Sequence, residues 1–313
     1  MTKWMLTMAS CLGVLLLQAQ LPISFVQKEN QVDVLIHDQP FTSLLYPDSL
    51  EKPVLFPVFA PDQQLVTRGF PLAPRAGDPT DHPHHIGIWL NFENLNQLDF
   101  WNNSYAIPAK DKAHYGRIVT RQVKLGKGGK RGVLVYQADW VAPSGERIAT
   151  EKTELIFSGD NRMRRIDRIT KLTAAQDAFF KDAKDGLLGF RVDKELQLPT
   201  ADYLNSEGLR GDSVWSKRAR WCRLSARMGK DTVAIVILDH PENIGYPSYW
   251  HARGYGLFAV NPLGAAIFSQ EKDRRDLHLK KGESVRFHYT ILISAAENDI
   301  SETEINHIAD RLR

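Results

Sequence analysis

Residues 81–89 read DHPHHIGIW and place three of the chain's ten histidines within four positions, next to the carboxylate of Asp81. A tight imidazole cluster beside carboxylates supports three chemistries. Neutral imidazoles hold a divalent metal. An imidazole near its ordinary pKa acts as general acid or base. Ring nitrogens also donate to, or accept from, sugar hydroxyls. No organic cofactor is expected. A divalent metal stays open, and zinc would need at least three of Asp81, His82, His84, His85 and His251 on one ion.

If residues 84–92 form a strand, His84 and His85 point to opposite faces. Both serve one site only if the strand begins near Gly87. Pro83 stiffens the entry to that strand, and Gly87 leaves space for a close approach beside Trp89. A His, an aromatic platform and a small residue suit a sugar ring. His84 and His85 are therefore acid/base candidates, with Arg68, Asp81, His82 and Trp89 as binding candidates. The alternative is that these histidines only satisfy backbone groups at the corner of a β-sandwich.

Asp239-His240-Pro241 repeats the tripeptide of Asp81-His82-Pro83 and leads into NIGYPSYWHARGYG at residues 243–256. Aromatics, a His and an Arg crowd what reads as a Gly-rich loop, and such loops on a β scaffold often bind ligands. An Arg beside a His neutralises a carboxylate or a developing oxyanion. His251 joins the acid/base candidates. Asp239, His240, Asn243, Tyr246, Trp250 and Arg253 join the binding candidates. In residues 185–195 (DGLLGFRVDKE) alternation puts Arg191, Asp193 and Glu195 on one strand face. That face is either solvated or an Arg/carboxylate wall, with Arg191 binding substrate and Glu195 acting as base.

The elements that must position these groups are mostly strands. Residues 31–36 alternate, and residues 117–125 and 133–141 flank Lys127-Gly128-Gly129-Lys130, a good hairpin connection. Further strand runs are expected at 146–157, 188–198, 219–226, 232–238, 255–260, 265–269 and 285–293. Residues 162–172 fit a strand or a helix. Ser301-Glu302-Thr303-Glu304 is a capping box, and Ile305, Ile308 and Leu312 follow at helical spacing. Without βαβ alternation, the chain reads as all-β: one large antiparallel β-sandwich of well over ten strands, with a C-terminal helix.

Of 313 residues, 43% are hydrophobic and 25% charged, values that exclude a disordered or fibrous chain. A net charge of +3 gives no support to a nucleic-acid partner. Residues 1–19 combine Lys3, an apolar run too short to span a membrane and Ala19, the pattern of a signal peptide cleaved after Ala19. The expected product is an exported domain of residues 20–313 with no membrane span. Cys11 weakly suggests a lipoprotein, but Ser10 is a poor neighbour and most of the apolar run follows Cys11. Cys222 would then be the single thiol, expected buried. No Gly-x-Gly-x-x-Gly, Walker A, His-Glu-x-x-His, Cys-x-x-Cys or Gly-x-Ser-x-Gly motif occurs.

DHPHHIGIW, DFW at 99–101, GLLGFRVDKEL and DHPENIGYPSYWHARGYGLFAVNPLG together resemble the PmoA-like family of unknown function, over about residues 30–295. The family is also called methane oxygenase PmoA, a name at odds with a chain lacking membrane helices after residue 19. The family is similar to galactose-mutarotase-like supersandwiches, so the resemblance implies a sugar-related role. Mutarotase-like sites set a His acid against a carboxylate base across a sugar ring. Carried over as chemistry, this gives His84 or His85 and His251 the acid/base roles and Glu195 the carboxylate role. Arg68, Arg191 and Arg253 would hold hydroxyls or a carboxylate. Two functions follow as expectations: an exported carbohydrate-active isomerase, lyase or hydrolase, or a noncatalytic glycan-binding or periplasmic assembly module. The second expects Trp89, Trp101 or Trp250 exposed on a flat face. Oligomeric state is not encoded in any pattern found.

Overall fold

The computed structural model describes residues 20–312. The expected signal segment and Cys11 lie outside the described residues. Two eight-stranded sheets, each antiparallel throughout, make the architecture. The first has the spatial order Ile23–Lys28, Gln31–Ile36, Gln39–Leu45, Val54–Val58, Ile88–Phe92, Gly186–Arg191, Leu257–Asn261 and Tyr249–Arg253. The second runs Asp202–Asn205, Trp221–Met228, Asp231–Asp239, Ser284–Ala296, Met163–Ala174, Arg147–Gly159, Gly132–Val141 and Arg117–Leu125.

One apolar core joins the sheets. Val34, Leu90, Phe190 and Phe258 of the first meet Tyr136, Phe157, Ile237 and Ile291 of the second. The alternation that predicted strands is the reason: every second side chain enters this layer. Cys222 is buried in it, and burial pushes its thiol pKa up. The helix Glu302–Ala309 closes the other face of the second sheet, with Ile305 against Trp221, Val236 and Leu292. Ser301 caps it, its hydroxyl accepting from the Glu304 N–H at 3.1 Å. Among the described residues no helix is long and apolar enough to cross a membrane.

The all-β reading and its C-terminal helix hold, with local corrections. Residues 163–174 resolve the ambiguous run as a strand. Residues 265–269 form a short helix, not a strand. The Asp182 carboxylate accepts from the Ala266 N–H at 3.0 Å there, and Ala265, Ala266 and Phe268 bury at helical offsets. The strand expected over 188–198 ends at Arg191 and gives way to a 3₁₀ turn, Lys194–Leu196. Asp193 causes the turn, its side chain accepting the Glu195 N–H at 2.9 Å. The loop expected around His251 is instead the edge strand Tyr249–Arg253, with Trp250 and Ala252 in the core.

Candidate functional site

The strand Ile88–Phe92 begins just after Gly87, the condition under which His84 and His85 serve one site. Before it, residues 82–85 form a β-turn closed by the His85 N–H donating to the His82 carbonyl at 3.0 Å. Pro83 takes the second turn position, where its fixed φ fits. A β-turn brings its first and last residues together, so the His82 and His85 rings stack at 4.8 Å and 3°. His84, at the third position, meets His85 edge-on at 4.3 Å.

Two buried arginines fix this turn. The Arg68 guanidinium donates to the carbonyls of Asp81 (2.7 Å), His82 (2.9 Å) and His85 (2.9 Å), and to Asp81 Oδ1 at 3.0 Å. Arg191 Nη2 donates to the same Oδ1 at 2.7 Å. Lys52 Nζ donates to the His84 carbonyl at 2.7 Å. Both arginine side chains are fully buried, while Asp81 and His82 are each 40% exposed. The arginines thus hold the turn from beneath and present Asp81 and His82 outward. Their expected role of gripping substrate hydroxyls does not match that burial.

A column of parallel rings rises from the sheet. Trp89 supports His85 at 5.2 Å, His85 supports His82, and Tyr255 covers His82 at 5.2 Å and 4°. The Arg191 guanidinium lies 5.0 Å from the Tyr255 ring centre. Trp89 fits because Gly189 faces it: a Cβ there would stand 2.4 Å from the indole. Gly87 accommodates a different close approach, that of the Leu55 carbonyl oxygen, 2.1 Å from where a Cβ would stand. Gly189→Val is expected to displace the indole, lowering stability by about 1–3 kcal/mol, the usual cost of overpacking. Near-UV circular dichroism checks it, and an unchanged spectrum would refute the packing argument.

Protonation follows from these contacts. Burial raises the Asp81 pKa, but the Arg191 charge and the His82 bond outweigh it, so the net shift is downward and Asp81 is ionised at neutral pH. His82 Nδ1 contacts Asp81 Oδ2 directly. With the carboxylate accepting there, the neutral ring is the tautomer with its proton on Nδ1 and its lone pair on Nε2. His85 Nδ1 lies 3.4 Å from Arg191 Nη1. Since Arg only donates, the His85 proton sits on Nε2. Burial, followed by neighbouring charge, pushes His85 well below its ordinary pKa and His84 down to about 2, so both are neutral.

Strand register places His251 on the same sheet face. His251 pairs with Ala259, Ala259 with Gly189, and Gly189 with Trp89, so the four form one row. Three strand spacings separate its ends, about 14 Å. His251 Nδ1 lies 3.3 Å from Asp185 Oδ1. Burial is the main cause that raises the Asp185 pKa and lowers His251 to about 3. Arg253 lies on this face too, its guanidinium over Trp215 at 5.0 Å.

Other candidates land elsewhere. Glu195 is exposed on the 3₁₀ turn, off the strand face expected to carry it. Asp193 pairs with Arg75 at 2.5 Å. Trp250 is a core residue, its indole N–H donating to the Ala219 carbonyl at 2.9 Å. Asp239 ends a strand of the second sheet. It accepts from the His240 N–H, the Asn243 amide and the Ser248 N–H, while burial lifts its pKa to about 6. His240 stacks on His288 at 4.2 Å, and Asn243 bonds the His288 backbone. This group organises the 240–248 loop, which includes Tyr246. Among the described residues no group of three or more His, Cys, Asp or Glu side chains could hold a metal ion. Trp89, Trp101 and Trp250 are 0%, 1% and 0% exposed, so the flat tryptophan face expected of a glycan-binding module is not formed. Sequence reading missed Tyr255, Asp185 and Lys52. The first two lie inside segments already singled out, whereas an isolated Lys beside Pro53 gives no signal.

The profile of DUF6807, a family of unknown function, matches residues 31–310. A search of curated proteins found no match. Among solved structures, the chain is similar to a GH36 α-galactosidase from Geobacillus stearothermophilus (9% identity, TM-score 0.45), covering 88% of this chain and 41% of that one. It is similar to a heparan sulfate lyase from Pedobacter heparinus (9% identity, TM-score 0.38), covering 86% of this chain and 34% of that one. A galactose mutarotase related enzyme from Lactobacillus acidophilus has 9% identity and TM-score 0.36, covering 89% and 99%. The chain therefore spans well under half the length of the galactosidase and of the lyase.

Proposed function

We propose, for a chain that belongs to the DUF6807 family of unknown function, acid/base chemistry on a carbohydrate, of isomerase, lyase or hydrolase type, in an exported protein. The reading rests on one observation: Asp81 and His82 form a half-exposed carboxylate/imidazole pair, held by two fully buried guanidiniums. The carboxylate fixes the Nδ1 proton, so Nε2 takes a proton from a hydroxyl or an acidic C–H. The imidazolium so formed is stabilised by Asp81 and returns the proton in the second half of the reaction. Tyr255 covers the imidazole, and its ring and hydroxyl suit the apolar face and hydroxyls of a sugar. The sugar-related role implied by the sequence resemblance and the signal-like residues 1–19 support the same reading. Asp185 with His251 supplies a second pair on that sheet face.

The test is a screen of purified protein against neutral and acidic mono- and oligosaccharides, followed by NMR for bond cleavage, double-bond formation or epimerisation. His82→Asn is expected to lower turnover by about 10²–10⁴-fold, the usual share of a general acid/base. Turnover that survives in His82→Asn would remove the assignment.

A further inference from the structure

A cleft of about 740 Å³, counting its open mouth, lies against the same turn. It is bounded by residues 49–52, residues 103–105, Pro83 and His84 of the turn, and Ile86 just after it. Lys52 lines it and is only 3% exposed. The ammonium gives one hydrogen bond, to the His84 carbonyl, out of three N–H donors. Trp89 stands 5.4 Å away.

Among the described residues no carboxylate lies within ion-pair distance of Lys52. Glu51, on the wall, is taken by Lys112 at 2.9 Å and Arg117 at 2.7 Å. Asp99 accepts from the Asn102 backbone and amide. A buried cation without a counter-ion is costly, and an incoming anion offsets that cost. The rim is apolar and open. Tyr105 is 65% and Leu72 38% exposed, two of the six exposed large hydrophobics among the described residues. An exposed aromatic beside a charged floor matches a sugar ring bearing an anionic substituent.

We propose that this cleft is a subsite for an acidic sugar, with the ring on Tyr105 and Leu72 and its carboxylate or sulfate paired with Lys52. The inference rests on the carbohydrate reading and narrows its substrate class. The titratable groups around Lys52 are Glu51, Asp99, His84 and His85. Burial lowers the Lys52 amine to about 7 against the pull of Glu51 and Asp99, so anion binding draws a proton onto it.

Calorimetry of the full chain with glucuronate, glucose 6-sulfate and glucose tests it without requiring turnover. At about pH 6, below the Lys52 value, one acidic sugar is expected to bind at least about tenfold more tightly than glucose, the size of one charged hydrogen bond. Which of the two binds tells carboxylate from sulfate. The preference is expected to shrink above about pH 8 and to vanish in Lys52→Gln. Leu72→Glu, at the exposed rim, gives a second reading if Lys52→Gln does not fold: it removes a ring contact from every sugar but adds a repelling charge for the acidic one alone, so it is expected to weaken the acidic sugar more than glucose. Equal binding of all three sugars, or an acidic preference that survives both variants, would overturn the subsite while leaving the carbohydrate reading intact. Failure of both acidic sugars to bind would overturn it as well. Loss of turnover in His82→Asn is read separately.

Discussion

Replacing Asp81 by alanine is expected to cost about 3 kcal/mol of stability and to abolish activity. Removing one partner of a buried ion pair costs about 3–5 kcal/mol, because the other charge is left unpaired. Here two guanidiniums are left, Arg68 and Arg191, both with no exposed side-chain surface. The carboxylate itself is 40% exposed, which places the cost at the lower end. A loss of that size lowers Tm by roughly 6–12 °C. Asp81→Asn separates the roles. It keeps the shape and an acceptor for the arginines but no longer fixes the His82 Nδ1 proton. Turnover is expected to fall by about 10²–10⁴-fold with a smaller Tm change. The pH dependence has a definite sign. The folded pKa of Asp81 lies below its ordinary 3.8, so its stabilisation is fully present above 3.8 and is lost as pH falls through the folded value. A thermal melt of the alanine variant unchanged from wild type would show that the arginines do not depend on Asp81.

Gly87→Ala is expected to be the most damaging single methyl in the chain's functional region. Gly87 has φ +55°, which side chains rarely adopt, and an added Cβ would stand 2.1 Å from the Leu55 carbonyl oxygen. That oxygen belongs to the neighbouring strand Val54–Val58, where Leu55 pairs with Ile88, so it cannot move without breaking sheet pairing. A left-handed non-glycine residue costs about 1–3 kcal/mol. With the clash, the total is expected near 4 kcal/mol, in the rare severe class of substitutions. The variant should also lose the ring column, since Gly87 sets where the His turn ends and the strand begins. Denaturant unfolding with tryptophan fluorescence measures both. A loss below about 1 kcal/mol would refute the clash argument.

Much of this arrangement was legible in the sequence. Alternation in QVDVLI, RIVTRQVKL and VLVYQADWV gave strands within a residue of where they lie, because side-chain period is a local property. DHPHHIGIW located the segment that organises the site, and Pro83 marked the rigid entry to its strand. Residues 265–269 and 188–198 were misread. Both outcomes depend on side-chain to backbone bonds that period does not encode, one from the remote Asp182 and one from Asp193 inside the expected strand. Trp250 and the Asp239 group had the composition of a binding loop, yet burial made them core and loop scaffold. Composition does not tell an aromatic that meets ligand from one that meets the opposite sheet.

The sequence by itself determined the all-β class, the capped C-terminal helix and a His cluster next to a carboxylate. Each is set by contacts among residues a few positions apart. Only the tertiary structure decided which imidazole faces outward. His82 is presented because Arg68 and Arg191 reach Asp81 across 13 and 110 positions of chain. His84 and His85 are held neutral because the packed rings around them exclude water. Charge state depends on desolvation and on distant partners, and neither is a property of local spacing.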